Sequence, residues 1–108
     1  MFGSMDFKGN HLTIIEFDRK DCPDYINSMW EIQEKPYEGD VINSYNDGPA
    51  APGEESLGGF YELENSSPAY ELGSKSQLKH NSKTYHFVAE IDILKKIAKA
   101  GLGINLSF

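Results

Sequence analysis

Apolar and polar side chains alternate along much of this chain, and a period of two residues predicts β-strands rather than helices. Glycine, proline, asparagine and aspartate collect between the alternating segments, where they favour turns. We therefore predict a series of short strands separated by loops. The predicted strands cover residues 11–18, 25–33, 41–45, 60–65, 69–72 and 77–89.

The fourth predicted strand shows the alternation most clearly and carries two acids on one face. Tyr61 and Leu63 point to one side, whereas Phe60, Glu62 and Glu64 point to the other. A strand with one apolar face and one carboxylate-bearing face is expected where a sheet borders a polar cleft. The last predicted strand alternates in a similar way between histidine and aromatic side chains.

The pattern changes near the C-terminus, where apolar residues recur at the spacing of an amphipathic helix. Asp92 is a suitable N-cap, and Gly101 is a suitable residue to end the helix. A short final strand is predicted at 102–106. The apolar positions of the predicted helix are Ile93, Leu94, Ile97 and Ala98.

These elements predict a mostly-β fold, an antiparallel β-sandwich with one C-terminal helix. The chain has 108 residues, so we expect a single small domain that spans residues 1–108. Side chains that share a strand face with other apolar residues should form the core. The predicted core comprises Ile26, Trp30, Ile32, Tyr61, Leu63, Tyr85 and Phe87, with Ile97 packing the helix onto the sheet.

Composition and charge exclude several classes of protein. No apolar run approaches the roughly 18 residues that a membrane span needs, so we expect no membrane partner. The net charge is −7, and residues 1–70 carry 14 acidic against 4 basic side chains. Such a surface repels phosphate backbones, so we expect no nucleic-acid partner.

The residues that commonly bind metals are sparse. Cys22 is the single cysteine, which excludes an internal disulfide and a cysteine-built metal site. His80 and His86 share a strand face but lie about 20 Å apart along an extended strand, so they cannot share one ion. We therefore expect no metal site and no cofactor.

Glu62 and Glu64 are the first candidates for chemistry, because neighbouring carboxylates can have their pKa values driven apart and act as an acid and a base. On their own they are more typical of a solvated strand face. Asn43, Tyr45 and Asp47 also alternate on one face and lead into a long irregular segment. Amide, phenol and carboxylate groups are what a sugar site uses, although they also suit ordinary turn chemistry.

The order of several motifs resembles the C-terminal part of galactose mutarotase-like proteins, the aldose 1-epimerase supersandwich. The shared order is a strand with a glutamate, a proline, an apolar strand, a glycine turn and a strand that ends in threonine and aromatic residues. A longer block resembles an uncharacterised bacterial family of mutarotase-like proteins. The motifs are Glu62/Glu64, Pro68, Tyr70–Leu72, Gly73 and Thr84–Phe87, and the longer block comprises 29–33, 36–37, 39–49 and 57–68.

The resemblance implies a partial supersandwich in which a glutamate takes the proton of the anomeric hydroxyl group. That role falls on Glu62 or Glu64, and the spacing to Pro68 leaves the choice open. The upstream catalytic histidines of mutarotases have no counterpart here, so one side of the cleft is missing. His86 is a further candidate contact for the sugar.

We therefore expect a carbohydrate-interacting domain that is not catalytic alone, with Glu62 and Glu64 as its acids. Asn43, Tyr45 and Asp47 are the other expected contacts. Two alternatives stay open at this point. One is an assembly module, a truncated paralogue that oligomerises through exposed sheet edges, and the other is an epimerase that a partner chain completes. Since a partial supersandwich leaves sheet edges and an apolar face uncovered, we expect a homo-oligomer.

Overall fold

The computed structural model describes residues 1–29, 31–46, 48–49, 51–56 and 58–107. Strands outnumber helices in this part of the chain, both of its sheets are antiparallel, and its one helix lies near the C-terminus. The prediction of a mostly-β antiparallel fold with a C-terminal helix is therefore confirmed. In chain order the elements are β1 (Phe2–Asp6), β2 (His11–Phe17), β3 (Ile42–Asn46), β4 (Tyr61–Asn65), β5 (Ser82–Val88) and α1 (Ile91–Leu102).

Contacts along the chain divide it into two compact units. The terminal unit comprises residues 1–18 and 80–108, and the central unit comprises residues 19–79. The terminal unit contains β1, β2, β5 and α1, whereas the central unit contains β3 and β4. The sandwich packing of two sheets and the single-domain organisation stay predictions.

The terminal unit is built on a three-stranded sheet with the order β1-β2-β5. The sequence pattern did not predict β1, which pairs with β2 in the register Phe2↔Ile15 to Asp6↔His11. Strand β2 pairs along its whole length with β5, from His11↔Val88 to Phe17↔Ser82. Strand β1 therefore covers the edge of β2 that β5 leaves open.

The core of the terminal unit lies between β2 and α1. Leu12 and Leu94 are 1% and 0% exposed, and Ile14 and Ala98 complete the buried cluster. Ile97 packs against this cluster, which confirms the predicted contact between helix and sheet. The other partly buried apolar residues around the cluster are Met5, Phe87, Ala89, Leu102 and Leu106.

The helix begins and ends at positions that differ slightly from the prediction. Glu90 rather than Asp92 is the N-cap residue, and it makes no side-chain capping bond, whereas Asp92 lies in the first turn. Gly103 rather than Gly101 ends the helix in the left-handed conformation with φ 72°, and its N–H donates to the carbonyl of Lys99 at 3.0 Å. The predicted strand at 102–106 does not form. Within the described residues, no helix combines the length and the apolar character that a bilayer span requires.

The central unit has a two-stranded sheet in which β3 pairs with β4. The predicted strand at 25–33 is wrong, because the chain turns back on itself there. Among the described residues of this segment, only Tyr25 forms a bridge, with Glu38, and the Asn27 N–H donates to the carbonyl of Pro36 at 2.9 Å. The backbones come so close that a side chain at Gly39 would collide with Ile26 and Asn27.

Several predicted core residues lie at the surface instead. Ile26 and Ile32 are 49% and 102% exposed because they belong to this turned-back segment rather than to a sheet. Tyr61 is 51% exposed on a two-stranded sheet, and Leu63 is half-buried. Tyr85 is also exposed, and its hydroxyl donates a hydrogen bond to the carboxylate of Glu16 at 2.9 Å.

Three further predictions concerned Trp30 and the strands at 69–72 and 77–89. Trp30 lies outside the described residues. The predicted strand at 69–72 is not formed, and the last predicted strand begins at Ser82 rather than at residue 77. For this last strand the predicted end was therefore accurate to one residue, whereas residues 77–81 are irregular instead of forming its first part.

We expect Leu94→Ala to destabilise the terminal unit strongly. The Leu94 side chain is fully buried between helix and sheet, so its truncation leaves a cavity and should lower the free energy of unfolding by about 2–5 kcal/mol. Ile93→Ala is the matched control, because Ile93 is the preceding helix residue and is 49% exposed. Equal unfolding midpoints in urea for the two variants would contradict the proposed core.

We also expect one carboxylate to contribute to acid sensitivity. The Asp6 carboxylate accepts the backbone N–H groups of Gly9 and Lys8 at 3.0 and 2.9 Å, and these bonds hold its pKa below the ordinary 3.8. A lowered pKa in the folded state stabilises the protein above pH 3.8, and this contribution is lost as the pH falls through the folded value.

The unfolding free energy of Asp6→Asn should therefore fall less steeply than that of the original chain between about pH 5 and pH 2. Asp40→Asn is the control, since Asp40 is exposed and has no hydrogen bond to the described residues. Parallel pH profiles for the original chain and Asp6→Asn, measured by urea unfolding, would show that the turn carboxylate has no such effect.

Candidate functional site

Four of the predicted site residues form two cross-strand pairs on one face of the central sheet. In the register of β3 and β4, Asn43 lies opposite Glu64 and Tyr45 lies opposite Glu62. Residues two apart on a strand share a face, and directly opposed residues share it too. The pairing of these strands therefore brings together side chains that are about 20 residues apart in the sequence.

These four side chains line a cleft of about 650 Å³ in the central unit. Phe60, which precedes β4, lines it as well, in keeping with the alternation that put this ring on the face of Glu62 and Glu64. Phe60 was not among the predicted site residues, although its position two residues before Glu62 places it on the same strand face. The remaining lining residues are Ser28, Met29, Ser44, Asn46, Gly48 and Pro49.

The charge of the cleft is negative and locally unbalanced. Neither the Glu62 carboxylate nor the Glu64 carboxylate forms a hydrogen bond or a salt bridge with the described residues. Among those residues, no lysine or arginine lines the cleft. Glu62 is exposed and Glu64 is half-buried, so one carboxylate is open to water and the other is partly shielded by the walls. Both carboxylates are thus available as acceptors for a ligand.

Two aromatic rings form an apolar part of the wall. The ring centroids of Tyr45 and Phe60 lie 6.1 Å apart with an interplanar angle of 35°. Phe60 is 41% exposed, so part of its ring faces solvent rather than a protein core. An exposed aromatic ring beside carboxylates provides a flat apolar surface next to hydrogen-bond acceptors.

The side-chain amide of Asn43, opposite Glu64 in the sheet, adds a further polar group to the cleft. Its Nδ2 atom is shielded from water and has no hydrogen-bond partner among the described residues. A buried amide group without a partner costs free energy, and such groups in native proteins call for an explanation. A ligand that rearranges this side chain could satisfy the amide.

Two predicted site residues do not join this group. Asp47 lies outside the described residues. His86 belongs to β5 of the terminal unit, where its Nδ1 atom lies 3.1 Å from the hydroxyl oxygen of Thr13. The described residues contain no group of three or more histidine, cysteine or acidic side chains that could hold a metal ion.

Comparison with known proteins adds a family assignment. A model of a family of unknown function, DUF6786, matches residues 1–108, which is the whole chain. The chain belongs to DUF6786. No curated protein matches the chain, and no solved structure does so either. Membership of DUF6786 therefore does not identify a ligand for the cleft.

Proposed function

We propose that this chain is a carbohydrate-interacting domain of galactose mutarotase-like type that is not catalytic alone. The observation that carries the proposal is the convergence of Asn43, Tyr45, Glu62 and Glu64 on one cleft. The sequence resemblance to mutarotase-like proteins supports the same ligand class, because it assigns the site glutamate to Glu62 or Glu64.

The chemistry of the cleft suits a neutral sugar. Sugar hydroxyl groups donate hydrogen bonds, and the unpaired carboxylates of Glu62 and Glu64 are strong acceptors. The apolar face of a pyranose ring can lie against an aromatic ring such as Phe60. A sugar that carries its own carboxylate or phosphate would meet repulsion, because no described basic residue lines the cleft.

Catalysis of mutarotation needs a base and an acid on opposite sides of the anomeric centre. Glu62 or Glu64 is a candidate base, but both lie on the same strand face, and none of the described residues lining the cleft is a histidine that could serve as the acid on the opposite side. We therefore propose binding without turnover for the isolated chain. An epimerase completed by a partner chain is the related alternative, and polarimetry with fresh α-galactose separates the two, because only a complete site accelerates mutarotation.

Uncovered strand edges favour a second candidate, an assembly module. Within the described residues β3 and β4 form a sheet of two strands, so each has one edge that no third described strand covers and that a strand of another chain can join. Apolar side chains of the central unit are also exposed, including Ile32, Tyr37 and Leu72. A homo-oligomer that buries these groups would show a concentration-dependent mass by light scattering, and this mass would not respond to sugar.

We expect galactose or glucose to bind the chain and Glu64→Gln to weaken that binding. The substitution replaces a charged acceptor by a neutral one, which should lower the affinity by about five- to tenfold. Isothermal titration calorimetry measures this change. Glu54→Gln with Glu55→Gln is the matched control, because these two exposed acids lie outside the lining of the cleft.

Galacturonate is the discriminating ligand in the same titration. Repulsion from the two carboxylates should weaken its binding by about fivefold relative to galactose, and Glu62→Gln with Glu64→Gln should narrow the difference. No heat or spectral change with any neutral aldose would overturn the proposed function. Equal weakening in the control variant would show that the effect depends on net charge rather than on the cleft.

A further inference from the structure

Two histidines from different strands come together on one face of the terminal sheet. Thr13 of β2 lies opposite His86 of β5, and His11 lies two residues before Thr13 on the same face. The ring centroids of His11 and His86 are 5.3 Å apart, and the ring planes are inclined by 36°. Both rings are at least partly open to solvent, because His86 is exposed and His11 is half-buried.

We propose that His11 and His86 bind a divalent transition-metal ion of the zinc, nickel and copper class. Two imidazoles on one tetrahedral ion, with metal–nitrogen distances of about 2.0–2.1 Å, place their ring centroids about 5 Å apart. The observed 5.3 Å matches this separation. Imidazole nitrogen is a ligand that these ions favour, and water molecules would complete the coordination.

Thr13 supports the proposal because it contacts the second nitrogen of one ring. Its hydroxyl oxygen lies 3.1 Å from Nδ1 of His86. When Nδ1–H donates to this hydroxyl, Nε2 carries the lone pair that binds a metal. Histidines that ligate metals usually donate their other N–H to an oxygen, which fixes the tautomer and the orientation of the ring. Thr13 is therefore a positioning residue for His86.

The surrounding strands add rigidity and negative charge. His11 of β2 lies opposite Asp6 of β1, and β2 pairs with β5 over seven residues. Strand β2, which carries His11, is therefore held on both sides, and β5, which carries His86, is held along its length by β2. One carboxylate oxygen of Asp6 accepts the backbone N–H groups of Lys8 and Gly9. The negative charge of this anchored carboxylate favours a cation near His11.

The sequence predicted no metal site, since His80 and His86 lie too far apart on one strand to share an ion. His11 lies far from both in the sequence, and only the register of β2 and β5 brings it beside His86. The proposed site is independent of the carbohydrate cleft, because its residues all belong to the terminal unit and the residues of the cleft all belong to the central unit.

Titration of the untagged chain with Zn²⁺, Ni²⁺ and Cu²⁺ salts by calorimetry tests the proposal, since a histidine tag would bind the same ions. We expect one ion per chain, with Cu²⁺ bound most tightly. His86→Gln and His11→Gln should each lower the affinity at least tenfold, and Thr13→Val should lower it about tenfold. His80→Gln is the matched control and should leave the affinity unchanged.

The folded state of each variant can be checked by circular dichroism, and substitution of the exposed His86 should leave it intact. Absence of binding by the original chain would overturn the proposal. The same holds for binding that persists in the double variant of His11 and His86, or that disappears in His80→Gln. Unchanged affinity in Thr13→Val alone would remove the positioning role of Thr13 and leave the two ligands.

Discussion

The register of paired strands is the constraint on which both proposed sites depend. Side chains on a strand alternate between two faces, so a slip of one residue would turn every site residue to the opposite face. In the central unit the register sets Asn43 against Glu64 and Tyr45 against Glu62. In the terminal unit it sets Thr13 against His86. Backbone pairing thus decides which side chains meet.

The two units stabilise this register by different means. In the terminal unit, Leu12 and Leu94 are buried between β2 and α1, so a hydrophobic cluster fixes one face of the sheet. In the described part of the central unit only Tyr25 and Pro68 are buried.

The central unit depends more on hydrogen bonds of its backbone and of Tyr25. The Ser66 N–H donates to the carbonyl of Val41 at 3.0 Å, the Ala69 N–H donates to Asp24 at 2.9 Å, and the Tyr25 hydroxyl donates to the carbonyl of Lys20 at 3.2 Å. Segments with few buried apolar contacts open at low free energy. A ligand bound in the cleft should therefore stabilise the central unit by mass action.

The sequence predicted those elements whose own pattern decides their structure. The alternation of 60–65 correctly grouped Glu62 with Glu64, and the helical spacing correctly placed Ile97 on the core. The same reasoning failed where pairing between distant parts of the sequence determines the local structure. Ile26 and Ile32 alternate like strand residues, but the backbone of their segment bonds to Pro36 and Tyr37 instead of a neighbouring strand.

Three other features could not be predicted because the local sequence pattern indicates them too weakly. Strand β1 contains Gly3 and Ser4, which have low strand propensity, and it forms because β2 offers a complete edge. The sequence pointed to Gly101 as the helix end, whereas the helix continues to Leu102 and Gly103 adopts the left-handed conformation. The contact of His11 with His86 joins opposite ends of the sequence and cannot be read from local periodicity.

The proposed binding of a neutral sugar at the β3–β4 face can be tested residue by residue. Nuclear magnetic resonance of the ¹⁵N-labelled chain during titration with galactose reports which backbone amides sense the ligand. We expect saturable shifts of the backbone amides at 43–46 and 61–65, with the amides of Ser82–Val88 unchanged. Shifts confined to β5, or no saturable shift at any amide of β3 and β4, would contradict the proposal.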